Sequence, residues 1–150
     1  MANSYHTLLI HAVFSTKNRE PWLSPPVRQR LFPYLGGIAR QNGMKALSVG
    51  GTSEHVHLLL SLSRELSIAN AMQSIKGASS KWLHQTFPQL AGFAWQEGYG
   101  AFSIGVAQTQ RTIAYIQNQK THHRAKSFED EFRAILRKRW IPYDEEHIFG

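Results

Sequence analysis

Two short patterns in the sequence bring together side chains that could bind a metal ion and attack a phosphate. The first pattern is His55-Val56-His57. In a strand, residues two apart project from the same face, so both imidazoles would point one way while Val56 packs on the opposite side. Two converging neutral imidazoles are a natural pair of ligands for a divalent cation. The alternative is a strand with two surface histidines.

The second pattern is Tyr115 and Gln119, which are four residues apart. In a helix such residues lie one turn apart on one face, which would set the phenol of Tyr115 beside the carboxamide oxygen of Gln119. Ile113 and Ile116 fall on a different side and would hold this helix to a sheet. Taken alone, the pair is more simply interpreted as a half-buried tyrosine beside a solvated glutamine.

The two patterns gain a chemical meaning in combination. A phenol is a weak nucleophile near neutral pH, because its pKa is about 10. It can attack a phosphodiester when it is aimed in line and a metal ion polarises the phosphate. A metal held by His55, His57 and Gln119 would keep coordination positions open for phosphate and water. The combination therefore predicts a metal-assisted tyrosine nucleophile at Tyr115.

The composition is that of a globular protein with a polyanionic partner. The chain has 150 residues, of which 42% are hydrophobic, and its formal net charge is +7. This length is typical of one domain with a proper core, so we expect a single domain over residues 1–150. The positive charge favours nucleic acid as the partner, although a merely basic surface would have the same composition.

Features that the sequence lacks narrow the class further. Cysteine is absent, so disulfides and thiolate metal sites are impossible, which suits a reducing cytoplasm. No apolar run is long enough to span a membrane. The N-terminal stretch has no basic segment or cleavage site and is not a signal peptide. We therefore expect a cytoplasmic protein without a membrane partner.

The elements that must position these side chains follow from hydrophobic periodicity and chain breakers. Strands are predicted at 7–15, 44–49, 54–62 and 101–106, with a turn at Gly50-Gly51. Helices are predicted from Ser24 to Gly43 with a kink or break at Pro33, and at 68–85, 109–119 and 127–139. This order predicts an α+β fold with a ferredoxin-like or RRM-like βαββαβ antiparallel sheet, helices on one face and extra C-terminal helices.

Five ordered motifs resemble the HUH endonucleases, specifically the single-tyrosine (Y1) transposases of the IS200/IS605 group. They are His55-Val56-His57 as the HUH motif, KGASS at 76–80, WQEGY at 95–99 followed by SIG at 103–105, the YxxxQ pattern at 115–119, and the tail QKTHHRAKSFEDEF…YDE. The similarity runs over nearly the whole chain. Five motifs in order are far more specific than any one of them.

The resemblance implies Mg²⁺ or Mn²⁺ as the cofactor and single-stranded DNA with hairpin ends as the substrate. The DNA would be cut and rejoined through a 5′-phosphotyrosine intermediate. By motif position, His55, His57 and Gln119 match the metal ligands, and Tyr115 matches the nucleophile. The resemblance also implies a homodimer, commonly with the tyrosine helix of one subunit completing the histidine site of the other, in the prokaryotic cytoplasm or nucleoid.

Several further residues are weaker candidates. Basic residues near the motifs could contact phosphates or be ordinary solvated charges. They are Lys17, Arg19, Lys76, Lys81, Arg111 and Lys120. His122 and His123 could contact DNA or a metal, but we expect a surface loop pair, because Gln119 already fills the third ligand position.

The aromatic residues and one basic run have simpler interpretations. We expect Trp22, Trp82, Trp95 and Trp140 in the core or at a dimer contact, and one of them could stack on a base. The run Arg137-Lys138-Arg139 suits a helix C-terminus through the helix dipole, so it requires no DNA role.

Three alternative functions stay open. A host-domesticated relative with the same chemistry would act on repeated palindromes in the genome. A non-catalytic single-stranded nucleic-acid binder would show stacking aromatics in its central strands, where this chain has His55, His57 and leucines. An HUH replication initiator or relaxase would usually be larger and carry three histidines or two tyrosines.

Overall fold

The fold is a four-stranded antiparallel sheet with helices on both faces. The computed structural model describes residues 3–119, 123 and 126–150. The strands are β1 (Leu9–Ser15), β2 (Lys45–Gly51), β3 (His55–Ser61) and β4 (Gly100–Ile104). The helices are α1 (Pro25–Gln41), α2 (Ile68–Thr86), α3 (Thr109–Gln117) and α4 (Phe128–Lys138). Among the described residues, no helix is both long and apolar enough to cross a membrane.

The sheet topology confirms the predicted βαββαβ arrangement. The strands lie in the order β2-β3-β1-β4, and each neighbouring pair is antiparallel. The central strands are therefore β3 and β1, and residue Ser15 at the end of β1 pairs with His55 at the start of β3. This is the split βαβ order, in which β1 and β2 enclose β3.

One face of the sheet packs against α1 and α2 and forms the main hydrophobic core. Alternate residues of each central strand point to this face, as the period of a strand requires. The strand residues in this core are Ile10, Ala12, Phe14, Val56, Leu58 and Leu60. Helical residues such as Leu31 of α1 and Ile75 of α2 cover them. This face therefore carries most of the apolar burial.

The other face of the sheet carries histidines and is covered by α3 and α4. Ile116 of α3 packs on Leu9 and Leu59. Three apolar residues of α4, Phe128, Phe132 and Leu136, pack with Val13 and Phe102. Ser127 begins α4 as a true N-cap, since its hydroxyl accepts the backbone N–H of Asp130 at 3.1 Å. The extra C-terminal helix is thus confirmed, and it closes the histidine face.

The predicted turn at Gly50-Gly51 was wrong, because both glycines belong to β2. Gly50 pairs with His57 and Gly51 with Val56, and the chain reverses over the residues that follow. A Cβ atom on Gly50 would lie 2.4 Å from the carbonyl oxygen of Ile116. Glycine is required here for the close approach of α3 to the sheet rather than for a turn.

The break predicted at Pro33 does not occur. Helix α1 runs from Pro25 to Gln41 with Pro33 inside it. Proline removes one backbone N–H, which leaves the carbonyl of Gln29 without its helical donor. Both Pro33 and Gln29 are exposed, so water can satisfy that carbonyl and the helix continues.

Candidate active site

His55 and His57 lie together on the face of β3 that α3 and α4 cover. Both side chains are fully buried, at 0% exposure, while Val56 between them belongs to the core on the opposite face. The predicted common direction of the two imidazoles is therefore confirmed, and the alternative of two surface histidines is wrong. Buried imidazoles require polar partners, and the structure supplies them.

Each of these imidazoles has a polar partner at Nδ1, which directs Nε2 into the site. Nδ1 of His55 lies 2.9 Å from Oγ1 of Thr52. Nδ1 of His57 lies 2.8 Å from Nε2 of His11. Partners of this kind fix the orientation of a ring and, when Nδ1 carries the proton, present the Nε2 lone pair to a metal. Sequence analysis missed His11, because it is a lone histidine in an otherwise apolar strand.

Gln119 is brought to His55, as the sequence predicted. It is buried, and its amide oxygen lies 3.1 Å from Nε2 of His55. Its amide nitrogen donates to the carbonyl oxygen of Tyr115 at 3.2 Å, which orients the oxygen towards the histidines. Helix α3 ends at Gln117, so the helix predicted over 109–119 is interrupted at Asn118, directly before Gln119.

Glu131 of α4 joins the cluster, although sequence analysis assigned no role to it. Its carboxylate is 2% exposed, and Oε1 lies 3.2 Å from Nε2 of His57 and 3.8 Å from Nε2 of His55. The ligand atoms of these three residues all lie within 4.8 Å of one another. Imidazole nitrogens with carboxylate and amide oxygens form a donor set that suits a divalent cation. The residues present therefore fit a metal ion.

A signal for Glu131 did exist in the sequence. Helix α4 is strongly amphipathic, and Phe128 and Phe132 lie on its buried face. Glu131 lies three residues after Phe128, so it falls on the same face. A carboxylate on the apolar face of a helix is uncommon unless it has a partner. That partner is the histidine pair of β3, of which His57 lies 74 residues from Glu131 along the chain.

His123 also belongs to this cluster, so the prediction of a surface pair was wrong for it. Its Nε2 lies 3.0 Å from the amide oxygen of Gln119 and 3.2 Å from Oε1 of Glu131. Burial alone would lower the pKa of His123, but the hydrogen bond and charge of Glu131 outweigh burial and raise it. A contact between distant segments therefore decided its position. His122 lies outside the described residues.

Tyr115 lies at the edge of the cluster within the same chain. Its hydroxyl donates a hydrogen bond to Oε2 of Glu131. Its ring centroid lies 5.7 Å from that of His57 and 6.0 Å from that of His11. Burial, followed by the hydrogen bond to Glu131, raises the pKa of Tyr115 above its ordinary value. The phenol is therefore held neutral beside the cluster.

Burial and mutual contacts set the charges of the remaining groups. Burial, assisted by His57, lowers the pKa of His11 to about 3 and that of His55 to about 3. Burial would raise the pKa of Glu131, but hydrogen bonds from His123 and His57 outweigh it and lower that pKa below its ordinary value. At neutral pH the imidazoles of His11 and His55 are neutral and Glu131 is ionised. These are the protonation states that metal binding requires.

The predicted basic residues fall into separate regions of the molecule. Arg111 of α3 lines a cleft of about 520 Å³ beside Tyr115 and Glu131. Lys17 and Arg19 follow the end of β1, where Ser15 pairs with His55. Their role in DNA binding stays a prediction. Lys120 lies outside the described residues.

The two lysines of α2 are not brought to the histidine cluster, because α2 covers the other face of the sheet. Nζ of Lys76 donates to the carbonyl oxygens of Gln96, Glu97 and Gly98 at 2.6, 2.9 and 2.8 Å. Burial lowers the pKa of Lys76 to about 8. Lys76 therefore holds the loop before β4, while Lys81 is exposed.

Comparison with known proteins identifies the family. A family model described as "Transposase IS200 like" matches residues 4–119, a range that contains His55, His57, Tyr115 and Gln119. This chain belongs to the IS200-like transposase family. The single-tyrosine transposase group expected from the motifs is thereby confirmed. Helix α4 with Glu131 lies beyond the matched residues of this transposase.

Two named relatives agree with this assignment. The ISDra2 transposase TnpA of Deinococcus radiodurans is 29% identical over 119 residues, which cover 76% of this chain and 85% of the relative. The transposase for insertion sequence element IS200 of Salmonella typhimurium is 25% identical over 114 residues, which cover 73% of this chain and 74% of the relative.

Solved structures have the same fold. The crystal structure of a candidate transposase from Deinococcus radiodurans aligns with a TM-score of 0.66 at 27% identity, over 79% of this IS200-like transposase and 95% of that chain. A REP-associated tyrosine transposase bound to a REP hairpin aligns with a TM-score of 0.60 at 17% identity. The alignment covers 82% of this chain and 73% of that chain. The second similarity concerns the fold alone.

Proposed function

We propose that this IS200-like transposase cuts and rejoins single-stranded DNA through a covalent bond to Tyr115. The observation that carries the proposal is the hydrogen bond from the Tyr115 hydroxyl to Glu131, which itself belongs to the buried group with His55 and His57. A nucleophile and a candidate metal group thus meet in one chain. We propose hairpin-bearing DNA as the substrate, as the motifs imply, and a relative of the same fold was solved bound to a REP hairpin.

The chemistry uses the two oxygens of Glu131 separately. Oη of Tyr115 attacks the scissile phosphorus, and its proton goes to Oε2 of Glu131, with which it is already hydrogen-bonded. The 3′-oxygen departs and takes up a proton from solvent, while the 5′-phosphate stays on Tyr115. A second 3′-hydroxyl later attacks the phosphotyrosine, releases its proton to solvent and restores the strand as the bond between phosphorus and Tyr115 breaks. Tyr115 then regains a proton from Glu131.

His55, His57 and Gln119 would hold Mg²⁺ or Mn²⁺, with Oε1 of Glu131 as a further oxygen donor. When bound, the cation stabilises the charge on the non-bridging oxygens of the phosphate. Thr52 and His11 orient the two imidazoles for this task.

The decisive experiment is a search for a protein–DNA adduct. Purified protein is mixed with single-stranded oligonucleotides that tile the DNA on both sides of its gene, with Mn²⁺ or Mg²⁺, and resolved on a denaturing gel. We expect a protein-linked band that EDTA abolishes and that Tyr115→Phe and His57→Ala both lack. Tyr5→Phe, which alters an exposed tyrosine, is the matched control and should retain the band.

Other outcomes of this experiment point elsewhere. A band that persists in Tyr115→Phe would mean that the nucleophile is a different residue. Cleavage confined to palindromes repeated elsewhere in the genome would favour the host-domesticated relative. Tight single-strand binding without any adduct would favour a non-catalytic binder.

The position of Tyr115 within a single chain also supports a reaction in which Tyr115 works with the histidines of its own subunit. The ring centroids of Tyr115 and His57 lie 5.7 Å apart within the chain. Mixing Tyr115→Phe with His57→Ala protein tests this: if Tyr115 acts in its own subunit, the mixture stays inactive. Restored adduct formation would instead require exchange of the tyrosine helix within the homodimer that the motifs predict.

A further inference from the structure

The cleft beside Tyr115 has the chemical character of a single-strand binding site. It has a volume of about 520 Å³ and is lined by residues of α3, α4 and β4. Its apolar lining includes Phe102, Ile104 and Ile135. The cationic residues that line it are Arg111, Lys126, Lys138 and Arg139. Apolar surfaces for bases together with cations for phosphates are what proteins use to hold single strands.

One wall of this cleft is already organised. The guanidinium of Arg139 lies 5.7 Å from the centroid of the Phe102 ring and donates to the carbonyl oxygen of Ser103 at 2.8 Å. These contacts hold the end of α4 against β4. Lys138 ends α4 and Arg139 directly follows it, so the contacts of Arg139 with β4 give the cationic side chains at this end of the cleft a defined position.

Trp140 directly follows this cationic wall in an unusual backbone conformation. Its N–H donates to the carbonyl of Arg137 at 3.1 Å, and the N–H of Ile141 donates to the carbonyl of Leu136 at 2.9 Å. This pair of hydrogen bonds is the Schellman motif, whose residue in the left-handed region is usually glycine. Trp140 occupies that position, with φ of 57°.

Packing does not explain a tryptophan at this position. The side chain of Trp140 is 93% exposed, whereas Trp95 is buried and Trp22 and Trp82 pack partly against the main core. A left-handed backbone is unfavourable for a bulky residue, and an exposed indole loses the benefit of burial. Strain that the fold does not require is concentrated at functional positions.

We propose that the cleft and Trp140 together form a binding track for the single-stranded DNA next to the scissile phosphate, with the indole as a platform on which a base stacks. The proposal rests on the proposed function, because it identifies the surface that leads the substrate to Tyr115. Charge complementarity favours this ligand, since Arg137, Lys138 and Arg139 precede Trp140 without interruption. Of the four tryptophans, Trp140 is thus the one assigned to base stacking.

The test measures the affinity for a fluorescein-labelled oligothymidine by anisotropy, in EDTA so that no strand is cut. We expect Trp140→Ala and Trp140→Gly each to weaken binding by about tenfold, because loss of one stacked base has an effect of this order. Trp140→Phe keeps an aromatic face and should stay within about twofold of wild type. Tyr5→Ala removes another aromatic side chain, 91% exposed, and should leave binding unchanged.

Trp140→Gly separates stacking from folding. Glycine is the preferred residue at the left-handed position of the motif, so this variant should raise the urea midpoint of unfolding while it weakens binding. A variant with a raised midpoint and wild-type affinity would overturn the proposal. If that same variant still formed the Tyr115 adduct, the proposed function would stand and only the track would fail.

The contribution of the cationic side chains is measured by how strongly the affinity for single-stranded DNA depends on salt concentration. Lys138→Ala and Arg111→Ala should each reduce the slope of log affinity against log salt by about 0.7, the value for one phosphate contact on a single strand. Lys45→Ala removes an exposed lysine of β2 and should leave the slope unchanged. Equal slopes in all of these proteins would overturn the phosphate contacts in the cleft.

Discussion

At the scale of single residues, the site is organised by the direction of each nitrogen and oxygen atom. Thr52 and His11 contact Nδ1 of the two β3 histidines, so that both Nε2 atoms face Glu131. Glu131 in turn presents Oε1 to the imidazoles and Oε2 to Tyr115. One carboxylate therefore couples the candidate metal group to the candidate nucleophile.

Replacement of Glu131 by glutamine should separate the acidity of Tyr115 from its reactivity. The carboxylate raises the pKa of the phenol in addition to burial, so Glu131→Gln should make Tyr115 titrate at lower pH. Adduct formation should nevertheless slow by about a hundredfold, because the proton acceptor is lost. The titration is followed by tyrosinate absorbance, as the difference between each protein and its Tyr115→Phe counterpart.

Asp130→Asn is the matched control for this prediction. Asp130 precedes Glu131 on α4, but its carboxylate is 66% exposed and bonds to Arg133. The control should change neither the titration nor the rate. A Glu131→Gln protein that forms adduct at the wild-type rate would remove Glu131 from the chemistry.

At the scale of elements, the site depends on how closely α3 and α4 approach the sheet. The absence of a side chain at Gly50 lets β2 contact the backbone of α3 at Ile116. Ile116 then anchors α3 on Leu9 and Leu59, one residue from Tyr115. The position of Tyr115, the candidate nucleophile, relative to the histidines therefore depends on a glycine in a strand on the edge of the sheet.

Gly50→Ala should displace α3. A Cβ atom 2.4 Å from the Ile116 oxygen cannot be accommodated without a backbone shift, so we expect a loss of roughly 1–3 kcal/mol in the free energy of unfolding. Adduct formation should fall more steeply than stability, because Tyr115 moves with the helix. Urea unfolding and the adduct gel measure the two effects on the same protein.

Gly37→Ala provides the comparison within a helix. A Cβ atom there would meet nothing within 4 Å, so the change should stabilise α1 by about 0.5–1 kcal/mol and leave the adduct unaffected. If Gly50→Ala behaved in the same way, the close approach of β2 and α3 would not be what positions Tyr115.

At the scale of the whole molecule, the two faces of the sheet have different roles. The face under α1 and α2 is an apolar core that stabilises the fold. The face under α3 and α4 buries histidines and a glutamate, which is unfavourable unless they are paired. The apolar face thus offsets the desolvation of the candidate active site, and this division predicts a specific dependence of stability on pH.

Stability should fall as the solution becomes more acidic than pH 6.5. The pKa values of His11 and His55 are lowered from 6.5 to about 3, so the unfolded chain binds protons that the folded chain does not. Their contribution is complete above pH 6.5 and is lost as the pH falls towards 3, by up to about 1.4 kcal/mol per pH unit for each. Urea unfolding in EDTA between about pH 6 and 5 measures this loss.

The other groups of the cluster with a shifted pKa affect stability mainly outside the range from about pH 6 to 5. The lowered pKa of Glu131 adds stability that is lost only below its ordinary value of 4.5. The raised pKa of His123 adds stability that is complete below 6.5 and is lost as the pH rises through its folded value. His11→Gln should therefore halve the slope of unfolding free energy between pH 6 and 5, from at most about 2.8 to at most about 1.4 kcal/mol per pH unit, because one of the two protons taken up on unfolding is lost. An unchanged slope would contradict the assignment to His11.

The family, the order of the elements and the candidate reacting groups could be predicted from local patterns in the sequence. Hydrophobic periodicity is local, so it predicted the βαββαβ order and the common face of His55 and His57. The spacing of Tyr115 and Gln119 is local as well, since the two residues are four apart in the chain. These predictions needed only the period of a strand or a helix.

The tertiary structure decided which distant side chains complete the site. Glu131, His11 and His123 contact the β3 histidines or Gln119 through chain reversals that no local pattern encodes. It also decided that Gly50 lies in a strand and that Trp140 is exposed. The physical reason is that burial and hydrogen bonding depend on which surfaces pack together, and those surfaces come from segments far apart in the chain.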